Sequence, residues 1–161
     1  MKLLLTLLAA LVITTSLAAA DPKVYPAAKL SITLPDKWKS KDAKNGITMV
    51  GAPADDAGMV IYPVTTPTPD GVRKSVEDLL AAMKVTDLKW DKDIKQDKLN
   101  GVPVFVRKGT GTADKKPMDI GVMLAVNDKA GLVVMAVVQH DKSDGYKAEL
   151  NKSFGSVAVT K

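Results

Sequence analysis

The chain has 161 residues, no cysteine, one histidine and a formal net charge of +5. This composition excludes disulfide stapling, thiolate metal centres and histidine-rich zinc sites, and leaves apolar burial to hold the fold. The basic excess is lysine interleaved with aspartate, as from Asp87 to Lys98, and Arg73 and Arg107 are the only arginines. Such a pattern reads as a solvated mixed-charge surface and not as a nucleic-acid face, though it is compatible with weak contact with an anionic membrane.

Residues 1–20 carry one charge at Lys2, an apolar run from Leu3, and Ala18, Ala19 and Ala20 at the end. That is the pattern of a secretory signal peptide cleaved before Asp21. No later apolar stretch is long enough to span a bilayer. The expectation is a single domain over residues 21–161, periplasmic or extracellular, with no transmembrane segment after cleavage.

Asp21 to Ala28 holds two prolines and no periodicity, and reads as a loosely held lead-in. In Lys29 to Pro35 the apolar residues Leu30, Ile32 and Leu34 alternate with polar ones, predicting a half-buried strand. Trp38 follows a turn and is expected to plug the end of the sheet under lysine stems. Asn45-Gly46 marks a turn, with strands over Ile47 to Val50 and Met59 to Val64 joined by Gly51 to Gly58. Two prolines end strand structure before Asp70, a candidate N-cap.

From Gly71 the period changes. Val72, Val76, Leu79, Leu80 and Met83 fall on one face of a helix. Leu88, Trp90 and Ile94 are apolar anchors in a charged segment. Asn100-Gly101 predicts a hairpin turn with strands on both sides, after which Gly109 to Pro117 reads as a flexible loop. Asp119 to His140 contains two apolar runs around a turn over Asn127 to Gly131. Because both runs are apolar without alternation, the hairpin must be covered on both faces. A second helix is predicted over Asp141 to Ser156, with Asp141 or Ser143 as cap and Tyr146, Leu150 and Phe154 as its apolar stripe. Val157 to Val159 adds a short strand. The sum is an α+β chain: a three-layer α/β/α sandwich with a central, mostly antiparallel sheet of about seven strands and two main helices.

Several of these stretches, taken together, resemble the PsbP-like α/β/α sandwich family: Leu34 to Trp38 closing the first strand, the helix from Val72, the Asn100-Gly101 hairpin leading into Val102 to Gly111, the apolar hairpin, and the terminal helix with its short strand. This family includes the extrinsic photosystem II protein and many exported bacterial proteins. The resemblance implies a binding or assembly role and transfers no catalytic residue.

Sequence motifs for chemistry are sparse. His140 is the only histidine, stands beside Asp141 at a strand end, and has no G-x-S-x-G partner for a Ser-His-Asp arrangement. Asp91, Asp93 and Asp97 match positions 1, 3 and 7 of a calcium loop, but Lys95, Gln96 and Val102 stand where ligands and the turn glycine are required. No cofactor and no metal are expected. The candidate ligand or partner surface is placed at loops and sheet ends, on Trp38, Trp90, Asp55, Asp56, Thr110 and Lys115. The reading is a non-enzymatic module binding an envelope protein or small ligand, with a carboxylate-dependent hydrolase as the alternative.

Overall fold

The computed structural model describes residues 21–160, so the expected signal peptide lies outside the described residues. In chain order the strands are β1 (Lys23–Tyr25), β2 (Leu30–Ile32), β3 (Lys39–Asp42), β4 (Thr48–Gly51) and β5 (Ala57–Thr65), followed by helix α1 (Pro69–Ala82). Then come β6 (Thr86–Trp90), β7 (Lys95–Leu99), β8 (Val102–Ala113), β9 (Lys116–Asn127), β10 (Ala130–Gln139), helix α2 (Ser143–Gly155) and β11 (Ala158–Val159). The main sheet has eight strands in the order β3-β4-β5-β10-β9-β8-β6, with β7 also paired to β8. Every pairing in it is antiparallel.

The apolar hairpin is β9–β10, and it occupies the middle of this sheet. Along β10, Leu132, Val134, Ala136 and Val138 point into one core and Val133, Met135 and Val137 into the other. Alternation is a fixed property of the strand, so an unbroken apolar run needs two covers. One cover is α1, whose Val72, Val76 and Leu80 enter the second core. Burying Val76 and Leu80 contributes roughly 1.5–3 kcal/mol each. The other cover is shared by α2, with Leu150, and by a three-stranded sheet β1-β2-β11.

That second sheet revises the reading of the first residues. Lys23–Tyr25 is a strand paired to Leu30–Ile32, not a loose lead-in, and Tyr25 and Ala28 are buried. The Leu30–Ile32 strand accordingly belongs to the small sheet, closed on its other side by Ala158–Val159. The Tyr25 hydroxyl is buried with no hydrogen-bond partner among the described residues. Burial pushes this phenol up to about 12; the nearby Thr48 hydroxyl opposes this only weakly, because its proton is committed to Asp42 and not to the phenol. Tyr25→Phe removes an unpaired polar atom and keeps the ring, so it should raise stability by about 1 kcal/mol. A urea midpoint that instead falls would show that the phenol has a partner.

Three local expectations change for stated reasons. Thr68, not Asp70, caps α1: its hydroxyl accepts from the Gly71 N–H at 3.2 Å, and a proline in the first turn favours an extended residue before it. Met83 lies just past the helix and is 41% exposed, so it leaves the buried stripe. For α2, the N-cap position is Lys142 with no side-chain cap, so neither Asp141 nor Ser143 serves.

Gly109 to Pro117 is no loop either. β8 and β9 run through it, and only Asp114 and Lys115, both at positive φ, form the turn. The β9–β10 turn is likewise confined to Asp128-Lys129, because Asn127 already pairs with Ala130. Gly131 therefore sits in β10, where a Cβ would approach the Ala125 carbonyl oxygen to 2.9 Å. The Asn100-Gly101 turn is as expected, both residues having positive φ between Leu99 and Val102. Asn100 Nδ2 also donates to the carbonyls of Gly155 and Val157, tying the hairpin to the end of α2.

Candidate functional site

β6 and β7 lie end to end along the edge of β8: Leu99 to Lys95 pair with Val102 to Val106, and Trp90 pairs with Gly109. Arg107 stands opposite the gap between them. Its Nε donates to the Asp91 carbonyl at 3.1 Å, and its guanidinium lies 5.5 Å from the centre of the Trp90 ring. On the α1 face of the sheet, Phe105 pairs across to Leu124 and Arg107 to Val122. These residues form the floor of a cavity of about 300 Å³, with Val72 and Val76 of α1 as its wall. Arg73, Asp70, Gln96, Ile94 and Trp90 complete the lining.

The rim is a connected set. Trp90 Nε1 donates to Glu77 Oε1 at 3.1 Å, and Arg73 Nε contacts the same carboxylate oxygen at 3.4 Å. A chain of Arg107, Trp90, Glu77 and Arg73 thus joins the sheet edge to α1. Each guanidinium makes its contact through Nε. Sequence reasoning picked Trp90 alone from this group. The signal that pointed to the others was compositional: the two arginines of a lysine-rich chain both line one cavity, and no lysine does.

The remaining candidates fall elsewhere. Trp38 is 8% exposed, as expected of a plug, and its Nε1 donates to Glu149 Oε2 at 2.9 Å. Its ring meets Tyr146 edge to face, with centroids 5.4 Å apart. The Tyr146 hydroxyl donates to Asp56, and this hydrogen bond, followed by burial, raises its pKa above the ordinary value. α2 therefore brings Trp38 and Asp56 to one place, although they are distant in sequence from it. Asp55 stays exposed in the preceding turn at positive φ. Thr110 is exposed on the α2 face, and Lys115 is at the tip of the β8–β9 turn.

Thr110 lines a cleft of about 560 Å³ between α2 and the sheet, together with Asp91, Asp119, His140 and Asp144. Here the structure supplies a partner that the sequence reading lacked: His140 Nδ1 is 2.9 Å from Asp119 Oδ1. Partial burial pushes the Asp119 carboxyl up, but hydrogen bonds from Ser143 and His140 outweigh it and hold the group below its ordinary value. Among the described residues no serine hydroxyl is hydrogen-bonded to the imidazole, unlike a nucleophilic triad, in which the histidine stands between serine and acid. A lowered carboxyl is also the opposite of what a general acid requires. Among the described residues, no group of three His, Cys, Asp or Glu side chains converges as a metal site, and no helix is long and apolar enough to cross a membrane.

The hydrogen bond to Asp119, then its charge, raises the His140 pKa above 6.5. Folding favours the protonated imidazole, so the contribution of the pair is full below the unfolded value and is lost as pH rises through the raised folded value. On the acid side it is lost as pH falls through the lowered Asp119 value. As the only histidine, His140 gives one imidazole resonance. Its titration midpoint should lie above 6.5 in the native protein and return towards that value in Asp119→Asn; identical midpoints would exclude the pair in solution.

No family model and no curated protein matches the chain. Solved structures do match. CyanoP, the cyanobacterial PsbP of Synechocystis sp. PCC 6803, is similar at a TM-score of 0.64 and 11% identity, over 91% of this chain and 95% of that one. LpqN of Mycobacterium tuberculosis, described as involved in cell envelope biogenesis, is similar at 0.56 and 14%, over 88% and 86% of the two chains. The Ran-binding protein Mog1p of Saccharomyces cerevisiae is similar at 0.57 and 12%, over 88% and 97%. At such identities the likeness concerns the fold. With an antiparallel sheet between α1 on one face and α2 with its small sheet on the other, the chain has the PsbP-like α/β/α fold.

Proposed function

We propose that this chain is an exported, non-enzymatic binding module that engages an envelope protein or a small ligand. The observation that carries the reading is the cavity under α1. Apart from Arg107 its floor is apolar, its rim holds a few oriented polar groups, and its lining offers one carboxylate, Asp70, where a carboxylate-dependent hydrolase needs a pair, with no hydroxyl, amine or imidazole beside it. A site of this kind retains a molecule without transforming it. Export is supported by the leader pattern of residues 1–20. Binding roles on this fold are supported by Mog1p, which binds Ran, and an envelope setting by LpqN.

Two measurements test the reading separately. The full chain, expressed with its leader in a bacterium with two membranes, should be recovered from the envelope fraction with Asp21 as its first residue by mass spectrometry. Cytoplasmic protein retaining Met1 would overturn export. Cross-linking in that fraction should give a reproducible adduct, or a ligand screen a thermal shift; failure of both would overturn binding.

A further inference from the structure

We propose that the cavity between α1 and the main sheet binds a small monoanionic amphiphile, a carboxylate with a compact aromatic or branched apolar body, gripped by Arg73 and Arg107. The proposal rests on the reading of the chain as a binding module and names what the module takes. The apolar body would lie on Phe105, Val122 and Leu124, under Val72 and Val76. At about 300 Å³ the space is at the small end for ligand cavities, too small for a long acyl chain or a glycan.

The head group follows from the rim. Arg73 and Arg107 contribute two positive charges, against one negative charge from Asp70 in the lining and one from Glu77 on the rim, so the site has no excess positive charge to hold more than a single carboxylate. Arg107 is anchored through Nε to the Asp91 carbonyl, and Arg73, more than half exposed, contacts Glu77 through Nε in an i,i+4 ion pair. Their terminal amino groups make no hydrogen bond or ion pair among the described residues. Those groups form the planar fork that matches a carboxylate. The choice of residue agrees with this: guanidinium is more weakly hydrated than ammonium and tolerates an apolar surround, and the chain places arginine here while using lysine elsewhere. The cation–π contact with Trp90, itself held by Glu77, and the bond to the Asp91 carbonyl restrict Arg107 before any ligand arrives. Less ordering then remains to oppose binding.

The probe is phenylacetate, with phenylacetamide and phenethylamine as its neutral and cationic counterparts. Each is titrated into the full chain as recovered after export while the two indole N–H resonances are followed by NMR. Phenylacetate should move Trp90 saturably and leave Trp38 in place, since Trp38 belongs to the Glu149 and Tyr146 cluster. Arg107→Lys, which keeps the charge and loses the fork, and Arg73→Gln on the other element should each weaken binding by at least about tenfold with melting temperature retained. If phenylacetamide binds as tightly as phenylacetate, or both variants bind it undiminished, the carboxylate assignment is overturned while the cavity remains a binding site. If none of the three moves Trp90, the cavity as ligand site falls with it.

Discussion

Leu132→Ala should lower the stability of the folded chain by about 3–4 kcal/mol, read as a drop in the urea midpoint at unchanged slope. Leu132 is fully buried in β10, between Pro63 of β5 and Ala125 of β9. Truncation removes the transfer energy of the side chain and leaves a hole whose cost depends on how far the neighbours can collapse. Here they collapse little, since the proline is rigid and the alanine has no side chain to extend. That places the loss in the middle or upper part of the usual range for such substitutions. With total stabilities of about 5–15 kcal/mol for domains of this kind, the variant forfeits a large share of its margin. Val24→Ala, at a half-exposed position in the small sheet, is the control and should change stability by under about 0.5 kcal/mol. A Leu132→Ala loss below about 1 kcal/mol would mean that the core closes over the hole.

The layers were legible because their signals are local. An apolar run without alternation announces two-sided burial, an Asn-Gly pair announces a hairpin, and spacing at Val72, Val76 and Leu80 announces a helix face. What escaped was set by partners remote in sequence. Lys23–Tyr25 has prolines on both sides and becomes a strand because Leu30–Ile32 lies beside it and Ala158–Val159 completes that small sheet. The His140–Asp119 pair depends on the register that sets Val138 opposite Asp119, which no single-strand pattern specifies. The cavity rim needs α1, the β6–β7 gap and β8 together, so Trp90 could be noticed as a large ring but Arg73 and Arg107 could not be joined to it. Trp38 and Asp56 met for the same reason, through Tyr146 of a helix at the other end of the chain.

Gly109→Ala bears on both fold and site, and its expected effect is a loss of about 1–3 kcal/mol together with displacement of the Trp90 ring. A Cβ at Gly109 would come within 2.7 Å of Trp90 Cε3 and 2.8 Å of the Lys89 carbonyl oxygen. The first contact could be relieved by moving the ring, but the second is backbone, so β6 must shift away from β8. Gly109 does not have a positive φ, so the penalty is steric and not conformational. Moving Trp90 breaks its hydrogen bond to Glu77 and removes its cation–π contact with Arg107, so phenylacetate binding should fall with stability. Gly51→Ala separates this from a general cost of alanine in a strand: nothing lies within 4 Å of its Cβ, and its stability should stay within about 0.5 kcal/mol of the parent. Were the segment from Gly109 to Pro117 the flexible loop that its composition suggests, Gly109→Ala would be neutral or stabilising through loss of unfolded-state entropy. The sign of the measured change therefore decides between a mobile loop and a β8 strand whose glycine lets β6 bring Trp90 to the mouth of the cavity.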